Sequence, residues 1–169
     1  MKIIAMDPGV ANFAFSVVTD QPDIPFIGQL ENPIQSIKKD DLEVQVCCFK
    51  WEIDTLISKI GLAMEDRIVV ERYQPRGPRN PQTELVNVMI GIIADKFEHQ
   101  LILITPAVWK NYIKKQYGTN KMTQLLKEKS ISPHIKDSIG LASYIFERYY
   151  NKPVLKELID GRWISSCQK

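Results

Sequence analysis

The chain has 169 residues, 44% hydrophobic and 25% charged, with a formal net charge of +2. This suits one ordinary domain over residues 1–169, and no apolar run approaches the roughly 20 residues of a membrane span, which excludes a membrane-embedded role. The apolar start is too short for a signal peptide and ends on a charge, and three cysteines, including the neighbours Cys47 and Cys48, make neither a disulfide framework nor a zinc-ligand spacing. The expectation is a reducing, cytoplasmic compartment without secretion.

The small net charge hides an asymmetry. Residues 1–71 carry 6 Lys/Arg against 12 Asp/Glu, whereas residues 72–129 carry 10 against 4. A basic middle segment in a near-neutral chain suggests a surface that faces a polyanion, although an unevenly charged solvated surface gives the same count.

Lys2 to Met6 has the short, β-branched apolar character of a buried strand, and Asp7-Pro8-Gly9 supplies a turn. Asn12 to Val18 reads as a second strand, and Ile24 to Leu30 as a third, weakened by Pro25. From about Asp40 a helix is predicted, with Leu42, Val46, Phe49, Ile53, Leu56 or Ile57, and Ile60 on one face. Arg67 to Glu71 reads as a buried strand that again ends on a carboxylate. YQPRGPRNPQ, with three prolines and a glycine, cannot be regular structure.

A helix from about Gln82 to Phe97 and a strand at Leu101 to Ile104 follow. Beyond Thr105-Pro106 the sequence predicts a short helix through Trp109, a loop around Gly118 and a short helix near Met122 to Lys129. The last strong element starts at Ser132-Pro133, an N-cap residue followed by proline at the first helical position. Its apolar face carries Ile135, Ile139, Ala142 and Phe146, and the tail beyond Lys152 adds at most one more helix. This order gives an α/β fold whose mixed five-stranded sheet combines an antiparallel meander with parallel crossovers.

If the strands ending at Asp7 and Glu71 lie side by side and parallel, both carboxylates stand at the edge where open α/β sheets place ligands. Asp137 and His134 share one face near the start of the last helix, three residues apart. A helix packed across that edge would join them to Asp7 and Glu71. Clustered carboxylates must bind cations or protons, and hard oxygen donors favour Mg²⁺ or Mn²⁺. Taken singly, each residue has a plainer account. Asp7 can start the turn, Glu71 can be a strand-end charge, Asp137 can complement the helix dipole, and His134 can face solvent.

MDPGVANFAFSVV, IVVERY and HIKDSIGLA resemble the three active-site segments of the RuvC-type Holliday junction resolvases, within the ribonuclease H-like superfamily, over about residues 1–150. The resemblance implies a ribonuclease H-like fold and a nuclease whose Asp7, Glu71 and Asp137, with His134, bind two Mg²⁺ ions. It further implies cleavage of four-way junctions and other branched DNA with 5′-phosphate ends, and a homodimer. The small size is similar to viral or phage versions, for which the compartment would be the host-cell cytoplasm. His134 stands where the family has an acid, Ser138 and Gly140 where it usually has alanines, and Phe13-Ala14 where many relatives have a glycine. Nitrogen ligation by His134 would suit Mn²⁺ better than Mg²⁺.

Arg72, Arg76 and Arg79 follow Glu71 with no acid among them, and guanidinium forks suit phosphates. Tyr73 stands one position before the place where the family keeps an aromatic that stacks at the branch point; a half-buried strand-end ring is the other account. Six lysines follow at Lys110, Lys114, Lys115, Lys121, Lys127 and Lys129, with Tyr112 and Tyr117 interleaved. The resemblance singles out Lys121 as a phosphate contact at the catalytic centre; Lys110, Lys114 and Lys115 are expected on a DNA-facing basic surface. Leu85, Val88, Met89, Ile92 and Ile93 make the helix from Gln82 too apolar to be half exposed, which fits either a dimer interface or core burial. Two other readings stay open, a ribonuclease for structured RNA on the same fold and a non-catalytic branched-DNA-binding protein.

Overall fold

Strands β1 (Lys2–Asp7), β2 (Phe13–Thr19) and β3 (Phe26–Leu30) form the expected antiparallel meander. The computed structural model describes residues 1–9, 13–19, 26–30, 42–72, 81–118 and 132–151. Tyr73, Arg76, Arg79, Lys121, Lys127, Lys129, the expected helix near Met122 and the tail beyond Lys152 lie outside the described residues.

Helix α1 (Leu42–Ile60) leads to β4 (Arg67–Glu71), then α2 (Pro81–Lys96), β5 (Leu101–Ile104), α3 (Pro106–Tyr117) and α4 (Pro133–Tyr150). The sheet has five strands in the order β3-β2-β1-β4-β5, with β1, β4 and β5 parallel. This is the mixed α/β architecture the sequence predicts.

The core lies on both sides of the sheet, as the alternation of strand side chains requires. Ile4, Met6, Ile68 and Val70 pack with Phe49, Ile53 and Leu56 of α1 and Leu85, Met89 and Ile93 of α2. Ile3, Ala5 and Val69 pack with Trp109 and Ile113 of α3 and Ile139, Ala142 and Phe146 of α4. Each of the fully buried Phe13, Phe49 and Phe146 contributes roughly 1.5–3 kcal/mol by leaving water. By the same alternation Asp7 follows Ile3 and Ala5, and Glu71 follows Val69, onto the α3/α4 side.

A polar clamp sets the level of the two central strands at their far ends. Buried Asp66 accepts hydrogen bonds from the backbone N–H of Lys2 (2.5 Å) and Ala63 (2.8 Å). Lys2 Nζ in turn donates to the carbonyls of Ile60 (2.8 Å) and Gly61 (2.6 Å), at the end of α1. Gly61 takes the left-handed conformation (φ 64°) that ends the helix. The resulting register pairs Ile3 with Arg67 and Met6 with Val70, so Asp7 and Glu71 come next on adjacent strands.

The apolar face of α2 is explained by this core. Leu85, Met89 and Ile93 are buried against the sheet within one chain, and Ile92 is half-buried. A dimer contact through Met89 is therefore corrected, because that side chain is only 1% exposed in the single chain. Val88, at 39%, is the exposed member of the set.

Candidate active site

Helix α4 supplies the third wall. Ser132 caps it by accepting from the N–H of Ile135 (3.3 Å), and Pro133 occupies the first turn. Small residues Ser138, Gly140, Ala142 and Ser143 are buried and let the helix lie on β1 and β2. Ser16 Oγ of β2 donates to the carbonyl of Ser138 (2.9 Å), which fixes the start of α4 over the ends of the central strands. His134 and Asp137 consequently stand above Asp7 and Glu71.

The four groups meet as two pairs. His134 Nδ1 lies 3.0 Å from Asp7 Oδ2. Asp137 Oδ2 accepts a hydrogen bond from Lys110 Nζ at 2.6 Å, and the same ammonium is 3.8 Å from Glu71 Oε2. Trp109 Nε1 donates to Glu71 Oε2 at 2.8 Å, and Lys110 Nζ lies 4.9 Å from the centre of the Trp109 ring. Among the described residues no three His, Cys, Asp or Glu side chains stand close enough together to hold a metal ion. The four residues singled out from the sequence thus lie at one sheet edge as two pairs, with a lysine between Asp137 and Glu71, and not as a ready-made metal cluster.

Charge follows from this geometry. Burial pushes the Asp7 carboxyl above its ordinary range, opposed by its hydrogen bond with His134 and assisted by the charge of Asp137. Burial likewise raises Glu71; the Lys110 charge and the Trp109 hydrogen bond counteract it, and the charges of Asp7 and Asp137 add to it. For Lys110, burial works against the ammonium, but the Asp137 hydrogen bond and the charges of Asp137, Glu71 and Asp7 outweigh it and hold the pKa above its usual value. Oxygen donors that are costly to ionise together, with one imidazole beside them, suit a hard divalent cation. Holding one by three of these groups requires Lys110 to release Asp137, and Asp137 and the Asp7–His134 pair to move toward Glu71.

Lys110, expected on a DNA-facing basic surface, is exposed and also stands among the carboxylates of the site. Its neighbours Lys114 and Lys115 are exposed one turn further along α3. Arg72 is exposed immediately after Glu71, and its N–H donates to the carbonyl of Ile104 (2.8 Å). Tyr112 and Tyr117, interleaved among these lysines, have a structural role. Both hydroxyls donate to Glu147 of α4, Tyr112 at 3.0 Å, so these rings tie α3 to α4 instead of standing free for bases. Burial and the Glu147 bonds raise both phenol pKa values, which keeps them as donors.

Solved structures share this arrangement of elements. Thermus thermophilus RuvC aligns with a TM-score of 0.60 at 12% identity, over 88% of this chain and 96% of that one. Its complex with a Holliday junction substrate aligns equally well. The fold is RuvC-like. The yeast mitochondrial Holliday junction resolvase Ydc2 shares it with a TM-score of 0.58 at 15% identity, over 92% of this chain and 83% of that one. No protein-family model matches the sequence, and no curated protein matches it by sequence. Within the RuvC-like fold, Trp109 and Gly140 were not legible as site residues. The only available signal was the placement of α3 directly after β5, a strand parallel to β4, which sends the helix start to the same edge as Glu71.

Among the described residues no helix is long and apolar enough to cross a membrane.

Proposed function

We propose that the protein is a metal-dependent, structure-selective endonuclease that resolves four-way DNA junctions and cuts other branched DNA. One observation carries the reading. Asp7, Glu71 and Asp137 converge at the carboxyl edge of β1 and β4, linked by Lys110 and His134, on a fold shared with a RuvC solved on a Holliday junction substrate.

Asp7, Glu71, Asp137 and His134 would hold two Mg²⁺ ions, with Mn²⁺ as a substitute. Such ions, when bound, activate water and stabilise the leaving oxygen of a phosphodiester, here giving 5′-phosphate and 3′-hydroxyl ends. The residues of the chain do the rest. The Lys110 ammonium balances the carboxylates before DNA arrives, and a phosphate entering the cleft offers it a second anionic partner. A neutral His134 that donates from Nδ1 to Asp7 keeps its lone pair on Nε2. Arg72, Lys114 and Lys115, with Tyr73, Arg76, Arg79 and Lys121, supply phosphate and stacking contacts that hold DNA without reading its sequence. Two symmetric cuts need two sites, which a homodimer provides.

The test compares labelled four-way junction, linear duplex and structured RNA, with Mg²⁺, Mn²⁺ or chelator. Junction cleavage that needs a divalent ion is expected. Asp7→Asn, Glu71→Gln and Asp137→Asn should each abolish it while junction binding in Ca²⁺ stays within a few-fold of wild type. Cleavage by any of the three, or metal-dependent cutting of RNA alone, overturns the reading.

A further inference from the structure

Glu71 ends β4 with its side chain 15% exposed, and its Oε2 accepts a hydrogen bond from the indole N–H of Trp109 at 2.8 Å. Trp109 itself is 2% exposed, locked in the core formed with Ile139, Ala142 and Phe146. A fully buried indole N–H needs an acceptor, and here the acceptor is a carboxylate of the cleft. The ring has its place only because position 140 lacks a side chain. A Cβ there would overlap Trp109 Cζ3 and lie 3.1 and 3.2 Å from Cε3 and Cη2. Glycine inside a helix is less stable than alanine, and nothing in the backbone of α4 requires it, since its φ is ordinary.

From this chain of contacts we infer that Trp109, seated by Gly140, is the positioning residue of Glu71: the indole N–H holds one carboxylate oxygen, so that the side chain meets an incoming divalent cation and phosphate in one fixed orientation. This rests on the nuclease reading and adds a specific device to it. The other donor near Glu71, Lys110, cannot do the same, because its ammonium is bonded to Asp137 at 2.6 Å and lies 3.8 Å from Glu71. Groups that orient metal-binding carboxylates through hydrogen bonds typically contribute 10- to 100-fold in metal affinity or activity.

The test uses Trp109→Phe, which keeps an aromatic ring and removes the N–H, and Gly140→Ala, which pushes on the ring. The first readout needs no cleavage. In protein labelled with ¹⁵N-tryptophan, the indole cross-peak lost in Trp109→Phe identifies Trp109, and Mg²⁺ added without DNA should move that peak. Mn²⁺ binding to the wild type and to Trp109→Phe, followed by the free-ion spin resonance signal, should show about 10-fold or greater weakening in the variant. In cleavage, kcat should fall about 10- to 100-fold with KM for the junction unchanged. Gly140→Ala should reproduce the loss in the wild type but add little to Trp109→Phe, because the smaller ring leaves room for the Cβ. A stationary indole peak, or equal Mn²⁺ affinity and kcat in wild type and Trp109→Phe, overturns the inference. If wild type cuts nothing while the peak still responds to Mg²⁺, the nuclease reading fails and the positioning role stands. If Gly140→Ala does not fold, Trp109→Phe decides alone.

Discussion

Lys110→Met keeps the length of the side chain and deletes the one cation that sits among the carboxylates. At 2.6 Å from Asp137 the Coulomb attraction is about 1.6 kcal/mol at the dielectric constant of water and about 6 kcal/mol at an effective value of 20. The 3.8 Å contact with Glu71 gives about 1.1 and about 4 kcal/mol on the same two assumptions. The Lys110 side chain is 44% exposed, so screening and lost desolvation bring the net contribution down to about 1–2 kcal/mol. In chelator, urea unfolding of Lys110→Met should therefore show an unfolding free energy lower by that amount, seen as a lower midpoint with an unchanged slope. Adding Mg²⁺ should narrow or close the gap. If Lys110 competes with the cation, its removal tightens binding, and a tenfold tighter site adds about 1.4 kcal/mol of stability at saturating ion. The variant should thus gain more from Mg²⁺ than wild type does. Equal stability in chelator together with equal Mg²⁺ gain would refute the argument, since it would mean that the ammonium neither balances the carboxylates nor stands where a cation would.

Met89→Glu should unfold the protein instead of dissociating an assembly, because it places an unpaired charge in the core at a cost of several kcal/mol; Val88→Glu, on the exposed side of α2, should change urea stability by no more than about 0.5 kcal/mol and so tests the proposed homodimer by sedimentation. Burial raises Asp7 above its ordinary 3.8 and Glu71 above its ordinary 4.5, so the folded chain keeps these protons longer than the unfolded one. Their contribution to stability in chelator should be fully present below those ordinary values and be lost as pH rises through the raised ones, with Asp7→Asn removing its share of that slope from the profile of the thermal midpoint. At His134, exchange for aspartate should shift cleavage preference from Mn²⁺ toward Mg²⁺, and identical titration curves for both ions would remove the imidazole from the site.

The meander and both parallel crossovers were legible because strand and helix periodicities here are undisturbed. Asp7 and Glu71 were legible for a related reason, since a carboxylate that ends a buried strand shows in the sequence itself. Asp137 and His134 followed from the cap at Ser132 and their three-residue spacing. The internal lysine was not legible. Lys110 has the same local sequence character as Lys114 and Lys115, and only the crossing of α3 over the sheet edge separates them. Trp109 was hidden for the opposite reason, as a core aromatic whose polar atom is informative only when its acceptor is known. The α2 stripe misled because an apolar face on a helix does not say whether the partner is the chain's own sheet or another molecule.

The clamp between Asp66 and Lys2 has a consequence for how such a protein can change. With the far ends of β1 and β4 pinned together, the strands act as two rulers of fixed length, and the pleat assigns each mark to one side. Deleting a single residue between Lys2 and Asp7 would leave the clamp intact, shorten one ruler and carry the aspartate to the α1 side, away from His134. Adding two residues would keep the side and move the carboxylate about 7 Å beyond its partner on β4. Exchange of one apolar residue for another within these strands should therefore be tolerated far better than any change in their residue count, which the chemistry at the opposite end cannot absorb.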